Sequence, residues 1–595
     1  MDQIESSNFW NKISKGYFPF LIIGVLVFVT YIRVFNFGFS GLDDKLLLIS
    51  NFTFLSDISN IPDAFLTDAF IKNLNSPFYR PLQTVSFILD SQLIGSKPET
   101  TIFHITNLII HIVNAMLVFV LLRKVQKNDI IALILALLYS VNPLFVHTVA
   151  WIPARGDLLV FAFIVSSFIY WINYLESGAK KDIYLCSLLL LLSLFSKEVA
   201  ALTPVLFIAY YYISKKSSFN LKLLVFPIIL WLAITVFYFI VRANAIHSNF
   251  SSDLFNFDNL IQNLATVFEF ISKFVIGFNL SPMPDYNTMV TFTGFIILAG
   301  ISVYLYFYRT IDFKPIFFGI LWIFVFLFPT LMFKHGLGDF SYKYLEHRAY
   351  LPMLGFLVIL VPLLNNLFEN DKTNRKKQIL LIIIALYSLH TYAYSDTYQN
   401  YLNLYTRVIK TNPKSAMAYY NRGVNLRIDN KINEAFADIN KAVEIYPDYI
   451  DALADRGLLM QNSGNVNQAL LDYERVLKFT PNNYQVLNSL GIIYGMKSKF
   501  PESVQMLTRC IQINPNMPAA YNNRGYALSM SNRLDEAMID FNMALKISPN
   551  FADAYHNRGN LKFNIGDKDG ACQDWNMAVK GGNKSALNNF EKYCK

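Results

Sequence analysis

Two joined all-α parts are predicted: a polytopic membrane helix bundle of about eleven spans over residues 1–400, then a helical-repeat superhelix over residues 401–595. Three observations predict them. With 54% hydrophobic and 16% aromatic residues, the chain is too apolar for one soluble domain. Its apolar runs approach the roughly 20 residues that cross a bilayer, and they stop near residue 394. Beyond that, from about residue 416 to 585, the sequence repeats with a period of 34.

The apolar runs cover 17–35, 102–122, 130–148, 158–175, 183–195, 199–213, 221–241, 292–308, 315–333, 349–367 and 378–394. No small-residue cleavage site follows Phe35, so the first reads as a retained span. A further stretch, 260–278, carries Glu269 and Lys273 and reads as interfacial or re-entrant. The net charge of +9 does not point to nucleic acid, because Lys and Arg cluster in short connections rather than in a stripe with interleaved aromatics. Instead it orients the bundle. The connections with Lys12/Lys15, Arg123/Lys124/Lys127, Lys180/Lys181, Lys215/Lys216/Lys222, Arg309/Lys314 and Lys372/Arg375/Lys376/Lys377 fall on one side, which the positive-inside rule makes cytoplasmic. The opposite side then receives the Asp43-Asp44 loop, the turns at 151–157, 196–198 and 342–348, and the repeats.

The first outer loop, 36–101, contains a proline-initiated amphipathic stretch at 79–90 that is suited to roofing a cavity at the membrane surface. At the mouth of the first span stand Asp43 and Asp44. Charge there is costly unless it has a task, and an acidic pair suits a general base or a metal ligand; the plain alternative is a solvated loop start or helix N-cap. Facing cations from the other outer turns, Arg80, Arg155, Lys197 and Arg348, suit a phosphate headgroup. A carboxylate beside them suits removal of a proton from an incoming hydroxyl. His104, His111 and His147 read as helix-packing residues. Of the four cysteines only Cys572 and Cys594 are placed to pair, and no bridge is expected. The sequence has no phosphate-cradling glycine loop, no Gly-x-Ser-x-Gly turn and no Cys-x-x-Cys, so nucleotide-driven chemistry is unsupported. No cofactor is implied, although a divalent cation near Asp43 and Asp44 stays open.

In the second part, prolines recur at 413, 447, 481, 515 and 549, glycines at 423, 457, 491, 525 and 559, and small residues at Ala435, Ala469, Ser503, Ala537 and Ala571. This is the tetratricopeptide period, with five repeats and a preceding half-repeat at 401–413. Two positions before each glycine stand Asn421, Asp455, Ser489, Asn523 and Asn557, a row that could hydrogen-bond an extended acceptor peptide along the groove.

In order, Leu42-Asp43-Asp44, Tyr79-Arg80-Pro81-Leu82, Phe103-His104 with Asn107 and His111, Asn142-Pro143 with His147-Thr148, Ala154-Arg155-Gly156-Asp157-Leu158-Leu159, Ser196-Lys197-Glu198 and Arg348-Ala349-Tyr350-Leu351-Pro352, with repeats behind them, resemble the transmembrane and tetratricopeptide-repeat O-mannosyltransferases. The resemblance implies a GT-C fold and a polyprenyl- or dolichyl-phosphate-linked mannose donor. It also implies catalysis at Asp43 and Asp44, donor contacts from Arg80, Arg155, Lys197 and Arg348, and polar support from Asp157, Glu198, Glu346 and His104. Departures are the five repeats, fewer than eukaryotic members carry, and Glu346-His347-Arg348 where a Glu-Arg pair is usual. The Asn-, Lys-, Ile- and Phe-rich composition suits a bacterial relative, whose outer face would be periplasmic; in a eukaryote it would be the ER lumen. The expected function is transfer of mannose from the lipid donor to Ser or Thr of extracytoplasmic proteins, with the repeats binding the acceptor. Alternatives are a membrane-anchored repeat scaffold, which would need one span rather than eleven, and a GT-C transferase acting on a glycolipid or glycan.

Overall fold

The computed structural model describes residues 10, 12–71, 76–95, 97–126, 128–214, 220–246, 257–308, 311–333, 337, 340–369 and 374–594. Lys127, Lys215, Lys216, Arg309 and Lys372 of the expected basic connections lie outside the described residues. Two compact units divide at Ala418 and Tyr419.

The first unit contains α1 (Phe18–Tyr31), α2 (Pro81–Ser91), α3 (Thr101–Gln126), α4 (Asp129–Ser140), α5 (Val146–Ala150), α6 (Arg155–Ser177), α7 (Lys180–Ser196), α8 (Thr203–Ser214), α9 (Leu221–Ala245), α10 (Phe257–Gln262), α11 (Ala265–Ile276), α12 (Thr288–Phe307), α13 (Phe313–Met332), α14 (Met353–Glu369), α15 (Arg375–Ser395) and α16 (Tyr401–Thr411). Each expected apolar run is helical, but the count of full spans changes. Among the described residues, seven helical segments are long and apolar enough to cross a membrane, or eight if the bent pair α4–α5 counts as one. The other three runs form shorter apolar helices: α7 and α14 at 17 residues each, and Glu198–Ser214. Seventeen residues reach only about 25 Å against a hydrocarbon core of about 30 Å. The 47° bend between α4 and α5 follows from Asn142-Pro143. Proline disfavours the helical conformation at the residue before it, and Asn142 is extended; its side chain caps Leu144 N and donates to Phe274 O at 2.9 Å.

At one end of the bundle the described basic connections gather. Lys124 pairs with Glu176 at 2.8 Å, Asn128 donates to Asn365 at 3.0 Å, and Lys377 lies over Trp10 at 5.9 Å. The stretch 260–278 is not a surface helix with wetted charges. It folds as α10 and α11, and Glu269 and Lys273 are fully buried. Lys273 donates to Glu346 at 2.9 Å, while Glu269 accepts from Asn287 N, Thr291 and Tyr344. Turned inward, those charges fasten α11 to the chain around 287 and 344–346.

The second unit is a stack of helix pairs, Ala416–Ile428 with Ile432–Ile445, Ile450–Asn462 with Val466–Phe479, Tyr484–Met496 with Phe500–Ile513, Pro518–Met530 with Leu534–Ile547 and Ala552–Asn564 with Lys568–Lys580, ended by Lys584–Tyr593. The repeat small residues are buried, and each repeat glycine lets its helix approach the partner: a Cβ on Gly457 would sit 2.7 Å from Tyr473. Arg422–Asp438, Arg456–Asp472, Arg524–Asp540 and Arg558–Asp574 form fork-shaped pairs within repeats, and the third repeat has Leu490 and Met506 at those places. One expectation needs correcting. Cys572 and Cys594 form a disulfide, because the last two helices pack side by side and bring their Cα atoms to 5.6 Å. The helix α16, read from the sequence as a half-repeat, lies in the first of the two units, which divide at 418/419.

Gly355 and Gly319 mark the closest helix approach between α13 and α14. A Cβ on Gly355 would lie 2.5 Å from Gly319 O and 3.0 Å from Trp322 and Ile323. Gly355→Val is expected to cost about 1–3 kcal/mol by overpacking, read as a lower melting midpoint in detergent. Gly300→Ala, with nothing within 4 Å of its Cβ, should melt like the wild type.

Candidate active site

The loop after α1 is tied down before it reaches the acidic pair. Gly38 N donates to Gln399 O at 2.9 Å, Thr100 Oγ1 to Phe37 O at 2.5 Å, and the Tyr405 hydroxyl of α16 to Gly41 O at 3.0 Å. Asp44 folds back: its Oδ2 accepts from Ser40 N at 2.6 Å and Ser40 Oγ at 2.5 Å, while Oδ1 has no hydrogen-bond partner. Burial pushes the Asp44 carboxyl up to about 6, opposed by the Ser40 hydrogen bonds and reinforced by the Asp43 charge. Asp43 points elsewhere, as adjacent side chains do. It is half-buried, its side chain makes no hydrogen bond among the described residues, and burial raises its pKa against the pull of Arg80.

Arg80 caps α2 and is placed by its neighbours. Tyr79 N donates to Glu198 Oε1 at 2.9 Å, Arg242 donates to Pro77 O at 2.9 Å, and Arg80 Nε lies 3.6 Å from Glu198 Oε2. On the turn after α7, Lys197 pairs with Asp157 at 2.6 Å. Arg348, on the turn before α14, stacks on Phe333 at 4.5 Å and has no ion pair among the described residues. Burial lowers both cations' pKa values, partly offset for Lys197 by Asp157 and for Arg348 by Tyr342 and Asp157. The charges of Arg80 and Arg348 act on Lys197, and that of Arg80 acts on Asp43 and Arg348, so these groups from four chain segments share one electrostatic environment. Such a set can hold an anionic group beside a carboxylate.

Three sequence candidates lie elsewhere. Arg155 is fully buried and consumed: Asp90 accepts from it at 2.5 Å, Asn107 at 2.7 Å and Phe103 O at 2.7 Å, and Ser86 lies at 3.4 Å. It locks α2 onto α3 and α6 and is withdrawn from the donor-phosphate set. Glu346 faces away from its neighbour Arg348, accepting from Lys273, Ser281 N and Tyr394. His104 packs edge-on against Phe37, supporting the loop rather than entering the cluster. The partners Asp90, Ser40 and Tyr405 were not legible in the sequence, since Asp90 meets Arg155 across 65 residues and Tyr405 meets Gly41 across 364. Among the described residues no three His, Cys, Asp or Glu stand ready for a metal ion, so a cation here would rest on Asp43 and Asp44 alone.

The repeat row is largely engaged with itself. Asp455 accepts from Tyr420 at 3.1 Å, Asn523 donates to Asn488 at 3.0 Å, Asn557 donates to Asn522 at 3.0 Å, and Ser489 hydrogen-bonds Tyr473. One repeat's polar group reaches the preceding repeat's helix, so the row is not five free amides. Asn421 has no side-chain partner among the described residues.

Residues 416–449 and 518–551 match the tetratricopeptide repeat family model. The chain is similar to "Protein O-mannosyl-transferase TMTC1" of Homo sapiens, 32% identical over 108 residues, which is 18% of this chain and 12% of that protein. It is also similar to "Protein O-mannosyl-transferase TMTC4" of Mus musculus, 27% identical over 212 residues, 33% of this chain and 27% of that protein. These matches span about an eighth and about a quarter of the relatives' lengths. Both relatives carry the family name to which the ordered motifs point. Among solved structures, the crystal structure of YrrB, "a TPR protein with an unusual peptide-binding site", is 22% identical, covering 32% of this chain and 97% of that one with a TM-score of 0.28. That of MamA is 21% identical, covering 28% and 96% with a TM-score of 0.25.

The ion-pair assignments separate fully matched cations from incompletely matched ones. Arg155→Ala, leaving Asp90 buried without its partner, should destabilise the membrane unit by about 3–5 kcal/mol, seen as a lower melting midpoint. Arg348→Ala should leave the midpoint near that of the wild type. Equal midpoints for Arg155→Ala and wild type would return Arg155 to the site.

Proposed function

We propose that this chain is a membrane glycosyltransferase that moves mannose from a polyprenyl-phosphate donor to Ser or Thr of extracytoplasmic proteins, with the repeats engaging the acceptor. The observation that carries this reading is that Arg80 reaches Glu198, beside the Lys197–Asp157 pair, while the charge of Arg80 also acts on Asp43 and Arg348. The relatives' names favour it. Arg80, Lys197 and Arg348 would hold the donor phosphate, and a lipid phosphate leaves readily without a paired general acid. Asp43 would take the proton from the acceptor hydroxyl as the new bond forms. Asp44, bound to Ser40, would hold the loop in shape as a positioning residue. The Cys572–Cys594 bridge and the gathering of basic connections at one end support repeats in an oxidising, extracytoplasmic compartment with the N-terminus cytoplasmic.

Purified protein incubated with labelled polyprenyl-phosphate-mannose and a Ser/Thr acceptor peptide should transfer label. Asp43→Asn should lower turnover by at least ~10²-fold with donor binding retained, and Asp44→Asn should lower it less. No transfer by the wild type with any lipid-linked hexose, or near-normal transfer by the Asp43→Asn/Asp44→Asn double variant, contradicts the proposal. For topology, a cysteine at exposed position Lys497 should react with an impermeant thiol reagent from the outer face. Labelling only from the cytoplasmic side would overturn the orientation.

A further inference from the structure

Next to the cations stands a group of rings whose polar atoms the fold leaves unmatched. His147 on α5 and His347 on the turn before α14 meet edge to face, with centroids 4.8 Å apart. Trp151 lies 5.0 Å from His147 and 5.3 Å from His347, and the Tyr398 ring is 5.2 Å from His147. His147 is 1% exposed, and Trp151 and His347 are 7% exposed. Yet among the described residues both ring nitrogens of His147, Nδ1 of His347 and Nε1 of Trp151 have no hydrogen-bond partner. Buried polar groups are ordinarily paired, and leaving several unpaired together is costly unless something else satisfies them. The imidazoles of the bundle differ: His111 is matched at both nitrogens, by Tyr350 at 2.7 Å and Ser140 O at 2.9 Å, while His104, packed on Phe37, is among the described residues a single unmatched ring rather than one of a group.

Position narrows what would satisfy the others. His347 adjoins Arg348 in sequence and lies within the field of Lys197, Arg348 and Arg80, so the ring group borders the cation cluster. Each neutral imidazole offers one donor and one acceptor, and the indole offers a donor beside a broad apolar face. Hydroxyls that both donate and accept, carried on a ring with C–H faces, match that set. A bare lipid or phosphate does not.

We infer that His147, Trp151 and His347 form the seat for the sugar ring of the lipid-linked donor, whose phosphate lies against Arg80, Lys197 and Arg348. This rests on the donor reading above. It also gives the chain a means of selecting sugar-bearing lipid over the sugar-free lipid phosphate left after transfer, because the ring group contacts only the former.

The test measures binding, without transfer. Wild type, Trp151→Phe and His147→Phe in lipid nanodiscs are titrated calorimetrically with polyprenyl-phosphate-mannose and, separately, with sugar-free polyprenyl phosphate. Both substitutions keep a ring in place, and His347→Phe is the replacement if either melts early. Each variant should bind the mannosyl lipid about tenfold more weakly, the worth of roughly one lost hydrogen bond, and the sugar-free lipid as the wild type does. Unchanged affinity for the mannosyl lipid, or equal losses for both lipids, would overturn the seat while leaving the donor reading intact. Failure of the wild type to bind either lipid would defeat the donor reading, and the seat with it.

Discussion

A charge removed from water must find a partner, and this requirement sorts the ionic groups of the membrane unit into two kinds. The fully buried Arg155 and Lys273 are matched by Asp90 and Glu346 at 2.5 and 2.9 Å, with further hydrogen bonds completing each shell. Lys197 is matched once, by Asp157. Among the described residues, Arg80 reaches Glu198 only at 3.6 Å, Arg348 has an aromatic face and no ion pair, and Asp43 has no side-chain hydrogen bond. Groups of the first kind hold helices together. Those of the second kind are gathered where three turns and the first loop meet, and their incomplete matching is what makes that place suited to a charged substrate.

The matched pairs make the unmatched ones possible. Arg155 fixes α2 against α3 and α6, and α2 begins immediately after Arg80, so a buried structural pair sets the position of an incompletely matched cation. In the same way Lys273–Glu346 anchors the turn that presents His347 and Arg348 in the opposite sense. The acidic loop is held from the far end of the unit, by Gln399 and Tyr405. An apparent half-repeat therefore serves the site rather than the superhelix.

The helices and the repeat period were legible in the sequence because each rests on local pattern: apolar runs and a 34-residue spacing. What the sequence could not supply is which charge meets which. Arg155 and Arg348 look alike in sequence, each a cation on an outer turn, and only the arrival of Asp90 from α2 distinguishes them. The 47° break and the 17-residue length of α14 were not legible, because composition does not reveal where a helix bends or ends. The amide row slipped because neighbouring repeats satisfy one another across a distance of 35 residues, which a single-repeat reading does not contain. The disulfide depended on the packing of the last two helices, again a tertiary fact.

The central claim is that Asp43 acts as an ionised base under the influence of Arg80. Burial raises the Asp43 pKa and the Arg80 charge lowers it, so transfer should fall as pH drops through that value, where the carboxylate takes up its proton. Removing the cation leaves burial unopposed. The pH dependence of kcat/KM for the wild type and Arg80→Gln measures this directly. The acidic limb of the variant should lie at higher pH than that of the wild type, beyond any uniform loss of rate, whereas limbs at the same pH would contradict the account.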